Sequence, residues 1–381
     1  MADTVFKLDP EIIIGRDTVN RAGALAGSRS SKILIATEQG LYENNQIERL
    51  VKIFDEAGLA SIVFDEIPAQ STADMAENVA SLVRGARCDM VLGFGGLKTQ
   101  YIARLAAILA ASRLGIFELL DGEREEKAFF PYMAIPTAEG DPFLFSDSLV
   151  AVDPRDRSVK LIKCPRGLCT GVIIDSALSE RQSGKFAATT AFDGLCASLE
   201  AYCSAKSGFL SDALLEQAIS LYSAMMHSYA DNPAFDFSGA AANAGMLMSL
   251  GAAASAPGIG IALSYALNAR FPVAKSWCAT VLLPYVMEKL VSARPEKMAK
   301  VAALMGEPVE GVSTAEAANM AVDTVRRRMG QLSVPARLKD FNLSLDRLVP
   351  AAEAARGLEF VSSSPWTVAV EDAYDLLKQA F

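Results

Sequence analysis

The stretch 88–107, CDMVLGFGGLKTQYIARLAA, sets a run of glycines between two patterns of different period. The apolar run 90–92 predicts a buried parallel strand, and from Leu97 onward Tyr101, Leu105 and Ile108 recur at helical spacing. Gly93, Gly95 and Gly96 let the backbone turn tightly between them. Strand, glycine turn and helix together aim a helix N-terminus, with its unpaired N–H groups, at an anion, usually the phosphates of a nucleotide. Close packing of a helix on a strand also requires small residues, so the glycines alone leave both readings open. A second candidate is Glu38, which closes another apolar run, KILIAT at 32–37. A carboxylate there can accept hydrogen bonds from an adenosine ribose and repel a 2′-phosphate, which favours NAD over NADP. The alternative is a solvated loop carboxylate.

The remaining chemistry-bearing residues are sparse. His227 is the one histidine, and it reads as a polar residue on a helix flank. The six cysteines are Cys88, Cys164, Cys169, Cys196, Cys203 and Cys278. They form no CxxC pair, and they read as free, mostly buried thiols of a reducing cytosol. The net charge is -9 with no Lys/Arg-rich run, which excludes nucleic acid and anionic membrane as main partners. The N-terminus MADTVFKLDP has neither a basic n-region nor an apolar h-region, so the expected location is cytoplasmic. Residues 237–269 carry no charge, but Gly239, Gly245, Gly251, Pro257, Gly258 and Gly260 interrupt them. A spanning helix needs about 20 uninterrupted apolar residues. Two buried core helices with a break near 256–260 are expected instead.

These residues need elements to hold them. A chain of 381 residues suggests two domains, and 51% hydrophobic residues suit substantial cores. Residues 5–15 predict an edge strand or hairpin, 32–37 and 61–64 strands, and 45–57 a helix with Ile47, Leu50, Val51 and Phe54 on one face. Thr72 is placed to cap a helix running to about Gly85, and 132–135 predict a further strand. Strands alternating with helices imply a parallel sheet in right-handed crossovers, with ligands beyond the carboxyl ends of the strands. Thr37–Glu38, Gly93–Lys98 and Thr137–Gly140 fall at such ends. After about Asp175 strand patterns vanish, and helices are predicted at 186–205, 209–229, 238–254, 260–270, 276–291, 294–305, 313–330, 343–356 and 368–380.

Several of these stretches resemble, in order, the iron-containing (group III) alcohol dehydrogenases, whose relatives include glycerol dehydrogenase and dehydroquinate synthase. GFGGLKTQYIAR resembles GxGGGSxxDxAK, and IPTAEG at 135–140 resembles IPTTAGTGSE. Residues 175–202, DSALSERQSGKFAATTAFDGLCASLEAY, resemble DPxL…ATGxDALxHAxEAY, and VLLPYVMEKL at 281–290 resembles ILLPHVMxFN. The resemblance implies a dehydroquinate synthase-like fold: a Rossmann-like α/β dinucleotide-binding domain over 1–176, an all-helical domain over 177–381 and an active-site cleft between them. It also implies NAD (or NADP), a small alcohol or aldehyde substrate, and a homodimer. Carried over residue by residue, the expected cofactor contacts are Glu38, Gly95, Gly96, Leu97, Lys98, Thr137, Lys160 and Leu178.

The departures from the family pattern concern the chemistry. The family's metal-binding aspartate falls on Asp193, and its three histidines fall on Ala197, Ile261 and Lys275. A further histidine beside the substrate falls on Tyr265, and His227 matches none of these positions. One carboxylate with Ala, Ile and Lys cannot supply the N/O ligands of a catalytic Fe²⁺ or Zn²⁺, so no metal is expected. Lys98 replaces the turn serine and keeps a positive charge where phosphate would lie, Tyr101 replaces an aspartate and Arg104 a lysine. Leu97 replaces the third glycine, and its Cβ crowds close backbone approach. Ala138, Glu139, Asp141 and Pro142 replace small hydroxyl and glycine residues, and two added carboxylates are unfavourable beside a pyrophosphate unless they face away.

Three functional expectations follow. The first is a metal-free NAD(P)-dependent oxidoreductase, in which Lys275 stabilises the carbonyl oxygen and Tyr265 donates a proton. The second is a non-catalytic homologue that keeps the fold for binding or assembly. The third, a metal-free lyase or cyclase, ranks last because the relatives that suggest it use metal too. In each case an unpaired Asp193 would be costly to bury, so the Lys275 ammonium is expected within salt-bridge reach of it.

Overall fold

A computed structural model of the chain describes residues 6–381 except 43, 69, 126–128, 139, 179–183 and 233–235. It divides into two compact units. The first comprises Lys7–Ala138 and Asp147–Ser179. Its strands are β1 Glu11–Gly15, β2 Lys32–Ala36, β3 Ala60–Phe64, β4 Met90–Gly95, β5 Tyr132–Pro136, β6 Ser148–Val152, β7 Val159–Lys163 and β8 Cys169–Asp175. Six of these form one sheet in the order β1-β8-β5-β4-β2-β3, with every neighbouring pair parallel. Residues 33–36 of β2 and all of β4 are buried, as befits central strands covered on both faces. The helices of this unit are α1 Ala22–Gly27, α2 Gln46–Glu56, α3 Met75–Gly85, α4 Leu97–Ala111 and α5 Ile116–Leu120.

The order places β4 between β2 and β5. Glu38, Gly96 and Thr137 therefore follow three adjacent strands at the same edge of the sheet. This is the arrangement that leaves a crevice beyond the strand ends.

Several details differ from the sequence reading. Residues 11–15 form an edge strand in parallel with β8, not a hairpin. It is tied there by the Asp175 carboxylate, which accepts the N–H groups of Asp17 (2.8 Å), Val19 (2.9 Å) and Ala177 (3.0 Å). Thr72 does not cap α3; the cap position is Asp74, and the Thr72 hydroxyl bonds to the Asp74 carboxylate instead. An antiparallel β6–β7 hairpin lies in a region where no strand was expected. Its strands are five residues each, held by pairing and burial more than by a long periodic signal.

The second unit holds Glu180–Phe381 and the short segment Glu139–Ser146. Its helices are α6 Gly184–Cys203, α7 Phe209–Asp231, α8 Ser238–Ala253, α9 Ile259–Arg270, α10 Lys275–Ala293, α11 Pro295–Leu304, α12 Thr314–Gln331, α13 Val349–Arg356 and α14 Val370–Gln379. α13 starts later than the 343 expected, because Pro350 fits only a first helical turn. The uncharged stretch 237–269 forms α8 and α9, with a break between them. Among the described residues no helix is long and apolar enough to cross a membrane.

α6 is buried from Ala188 to Cys203 and packs against α7, α8, α9 and α10. Close approach to α7 depends on Gly194, where a Cβ would land in the Tyr222 ring. Gly330, near the end of α12, has open space around it. Gly194→Ala is therefore expected to destabilise by about 2 kcal/mol or more. Gly330→Ala should stabilise by roughly 0.5 kcal/mol, through the smaller entropy of the unfolded chain. Chemical denaturation of both variants checks the pair; equal effects would contradict this packing.

Candidate active site

In the helical unit, α6 presents Asp193, Cys196, Ala197 and Glu200 at i, i+3, i+4 and i+7, which is one helix face. All four are buried. Lys275, the first residue of α10, reaches across so that its Nζ lies 2.7 Å from Asp193 Oδ1. The two side chains are 5% and 4% exposed, so water does little to screen the pair. The head groups thus lie well within the expected reach of one another. The Lys275 ammonium also lies 4.9 Å from the ring centroid of Tyr265, on α9. Burial pushes the Asp193 carboxyl above the usual range, while Lys275 pulls it down.

Glu200, which the sequence reading did not single out, organises the start of α9. Its carboxylate accepts the backbone N–H groups of Gly258 (3.0 Å), Gly260 (2.6 Å) and Ile261 (3.0 Å). These are orphan donors of a helix N-terminus, where negative charge is favoured. A Cβ on Gly258 would fall 2.8 Å from Glu200 Oε1, and one on Gly260 would fall 2.7 Å from Val286 Cγ2. Burial is the largest influence on Glu200 and pushes its carboxyl up to about 7, against the three N–H donors. Ile261 and Tyr265 follow on α9, one turn apart. The signal for Glu200 was its position seven residues after Asp193 on an otherwise apolar helix face.

The short segment that joins this unit packs beside the pair. A Cβ on Gly140 would lie 3.3 Å from Asp193 Oδ2. The Asp141 carboxylate accepts the Phe143 N–H at 2.8 Å, and the Ser249 hydroxyl donates to the Asp141 carbonyl at 2.7 Å. Phe143 stacks against Tyr265 at 6.1 Å and Phe360 at 5.3 Å between centroids. Glu139 lies outside the described residues. Ala197 and Ile261 are fully buried and carry no ligating atom. Among the described residues no group of three or more His, Cys, Asp or Glu is placed to hold a metal ion. His227 is exposed on α7, beside Arg328 and Asp231.

In the α/β unit, Gly95 adopts φ +154°, and a Cβ there would fall 2.9 Å from Thr99 Oγ1. Gly96 is the cap residue of α4, and its N–H donates to Glu38 Oε1 at 3.1 Å. The expected ribose carboxylate therefore rests on the glycine turn itself. Glu38 also lines an open recess of about 480 Å³ with Asp65 and Glu66. Gln100 braces the strand ends: its amide donates to the carbonyls of Gly93 (3.1 Å), Gly95 (3.0 Å) and Ile135 (3.1 Å). A buried amide on the packed face of α4 was the signal for it. The Thr137 N–H donates to the Gly95 carbonyl at 3.1 Å. Lys98 is half-buried in the first turn of α4 next to Leu97, and burial together with the nearby Arg157 guanidinium pushes its ammonium down to about 8. Lys160 lies near Asp153 and Asp156 on the hairpin. Leu178 packs into the hydrophobic core with Ile13 and Val19.

Comparison with known proteins adds to this geometry. The iron-containing alcohol dehydrogenase family matches residues 9–176, and the C-terminal region of the Fe-containing alcohol dehydrogenase family matches residues 187–381. The chain is 25% identical to the NAD-dependent methanol dehydrogenase of Bacillus methanolicus, over 99% of this chain and 100% of the relative. It is 24% identical to the lactaldehyde reductase of Escherichia coli (strain K12), over 92% of each. Its fold matches the crystal structure of a 1,3-propanediol oxidoreductase with a TM-score of 0.93 at 22% identity over the full length of both. It also matches a sulfoacetaldehyde reductase from Bifidobacterium kashiwanohense in complex with NAD+, with a TM-score of 0.84 at 16% identity over 100% and 99% of the chains. At these identities the structural matches bear on the fold.

Two outcomes are expected from the helical site. Lys275→Met should cost roughly 3–5 kcal/mol, because it leaves the Asp193 charge buried and unpaired. Adding Asp193→Asn should restore part of that loss, and purely additive effects in a double-mutant cycle would contradict the pairing. The second outcome concerns pH. Glu200 holds its proton to about 7 when folded but to about 4.5 when unfolded, so the folded state binds more protons between those values. Stability should therefore fall as pH rises from about 4.5 to about 7, by roughly 3 kcal/mol for this group alone. Glu200→Gln should lower the Tm overall and flatten its decline with pH, as followed by thermal melts across that range.

Proposed function

Because the chain belongs to the iron-containing alcohol dehydrogenase family, we propose that it interconverts a small alcohol and its aldehyde with NAD(H), with the Lys275 ammonium standing where the family places its metal. Family and relatives make it an alcohol dehydrogenase-like oxidoreductase. The observation that carries the finer reading is the buried 2.7 Å contact between Lys275 and Asp193. The family's four metal positions do not fit a metal here. The Asp193 carboxylate is already engaged by an ammonium, Ala197 and Ile261 have no donor atom, and a protonated lysine repels a cation.

The dinucleotide positions fit better. The α4 N-terminus, Lys98 and Thr137 would hold phosphates, and the acidic recess at Glu38, Asp65 and Glu66 suits an unphosphorylated ribose, hence NAD rather than NADP. A bound nicotinamide supplies or accepts the hydride. Asp193 holds Lys275 in place, so the ammonium opposes negative charge developing on the carbonyl oxygen. Tyr265, its ring beside that ammonium, is the candidate proton donor. The substrate is a small molecule, and a homodimer is the assembly the family resemblance implies.

A second reading, a binding or assembly protein without turnover, draws support from Glu38. Its carboxylate rests on the Gly96 N–H that a phosphate would use. The two readings diverge in one experiment. The first expects NADH to bind more tightly than NADPH by fluorescence titration, and small aldehydes to be reduced at a rate unchanged by exhaustive chelation. It also expects Lys275→Met to abolish turnover while NADH still binds. Binding of neither dinucleotide at millimolar concentration would support the second reading. Loss of activity on chelation, with recovery on adding Fe²⁺ or Zn²⁺, would overturn the metal-free mechanism.

A further inference from the structure

The lysines of this chain differ in what their nitrogens touch. Lys297 is saturated: its ammonium donates to the Tyr202 carbonyl (2.6 Å), the Ser207 hydroxyl (2.9 Å) and both Asp212 carboxylate oxygens (2.9 and 2.8 Å). Lys52 stands 76% exposed beside Glu56. Lys275 follows neither pattern. It is 5% exposed, and among the described residues Asp193 Oδ1, at 2.7 Å, is its one hydrogen-bond acceptor. The Tyr265 ring lies against it, 4.9 Å from nitrogen to centroid. An ammonium carries three N–H donors, so the charged form leaves donors unspent where water reaches poorly.

The 2.7 Å contact is also a path for a proton. Moving one from Nζ to Oδ1 turns the ion pair into an amine and a carboxylic acid, and burial favours that uncharged form relative to its balance in water. Burial pushes the Asp193 carboxyl above its usual range, against the pull of Lys275. The amine then has a free lone pair, with a proton donor held beside it. That is the equipment of a lysine that condenses with a carbonyl.

We propose that Lys275 is a covalent site for small aldehydes, forming an iminium through its Nζ with Asp193 as the proton carrier. The proposal rests on the reading above for the aldehyde class, and adds a bond that the reading does not contain. Nζ attacks the carbonyl carbon, the carbonyl π pair moves to oxygen, and that oxygen takes the proton held by Asp193. Asp193 then removes a proton from the nitrogen and passes it to the new hydroxyl. The hydroxyl leaves as water while the nitrogen lone pair closes the C=N bond. One ammonium and one aldehyde thus become one iminium and one water, and no oxidant or reductant is consumed. The product keeps a positive charge facing Asp193, so the buried carboxylate is not left unpaired. The ammonium form serves the hydride step and the amine form the condensation, as two states of one nitrogen.

Propanal with sodium cyanoborohydride tests this on the full chain near neutral pH, without dinucleotide. The reagent delivers hydride to an iminium carbon and fixes the adduct as a propylamine, which peptide mass mapping locates. Lys275 should be alkylated at least roughly tenfold faster than Lys52, since an exposed lysine is almost wholly protonated near neutral pH. Lys297, its donors all engaged, should stay unmodified. Lys275→Arg keeps a cation for Asp193 but cannot form an iminium, so the fast label should vanish while thermal melts report a folded chain. Alkylation of Lys275 in the parent no faster than of Lys52 would overturn the proposal without recourse to any variant, as would a fast label that persists in folded Lys275→Arg. Fast labelling of Lys275 in a protein that reduces no aldehyde with NADH would leave this site standing and overturn the dehydrogenase reading. Aldehyde reduction with NADH beside an unlabelled Lys275 would do the reverse.

Discussion

A carboxylate on α6 and an ammonium at the start of α10 meet at 2.7 Å inside the helical unit, and the chemistry of that unit turns on the meeting. Neither charge is tolerable alone at such depth. Together they fix where α10 begins relative to α6. The Tyr265 ring, beside the ammonium, ties α9 to the same point. The ion pair and the ring contact together draw three helices to one point.

The α/β unit is governed by a different constraint, the shortage of space at the end of β4. Gly93 and Gly95 leave room for the Gln100 amide and the Thr99 side chain, and Gln100 in turn joins β4 to β5 through their carbonyls. A glycine turn is often described as flexible, but this one is braced from within. Its N–H at Gly96 is the part that faces outward, and Glu38 shows that it takes a carboxylate oxygen.

How much of this was legible in the sequence depended on range. Apolar runs such as 32–37 and 90–92 announced their strands because central parallel strands are buried on both faces, whereas 61–64 announced the half-buried edge strand β3. The glycine turn and the alternation of patterns located the crevice edge. Asp193 and Lys275 were legible because they fall at corresponding positions of one family pattern. Glu200 was marked only by its place seven residues after Asp193, and its partners, backbone amides 58 to 61 residues away, could not be read from the sequence. The same holds for Gln100, whose three acceptors are carbonyls.

The junction of α8 and α9 holds Pro257 and Gly258 in the break and Gly260 in the first turn of α9, a composition that ordinarily marks a hinge. Here one buried side chain collects the amides of Gly258, Gly260 and Ile261. Each of those N–H groups can meet solvent only if the Glu200 carboxylate lets go, and it sits two turns along α6 from the ion pair. In hydrogen-exchange terms these three amides should be among the slow ones of the unit, since their exchange requires Glu200 to release them. A stretch that reads as the loosest in the helical unit is therefore one of its fixed points.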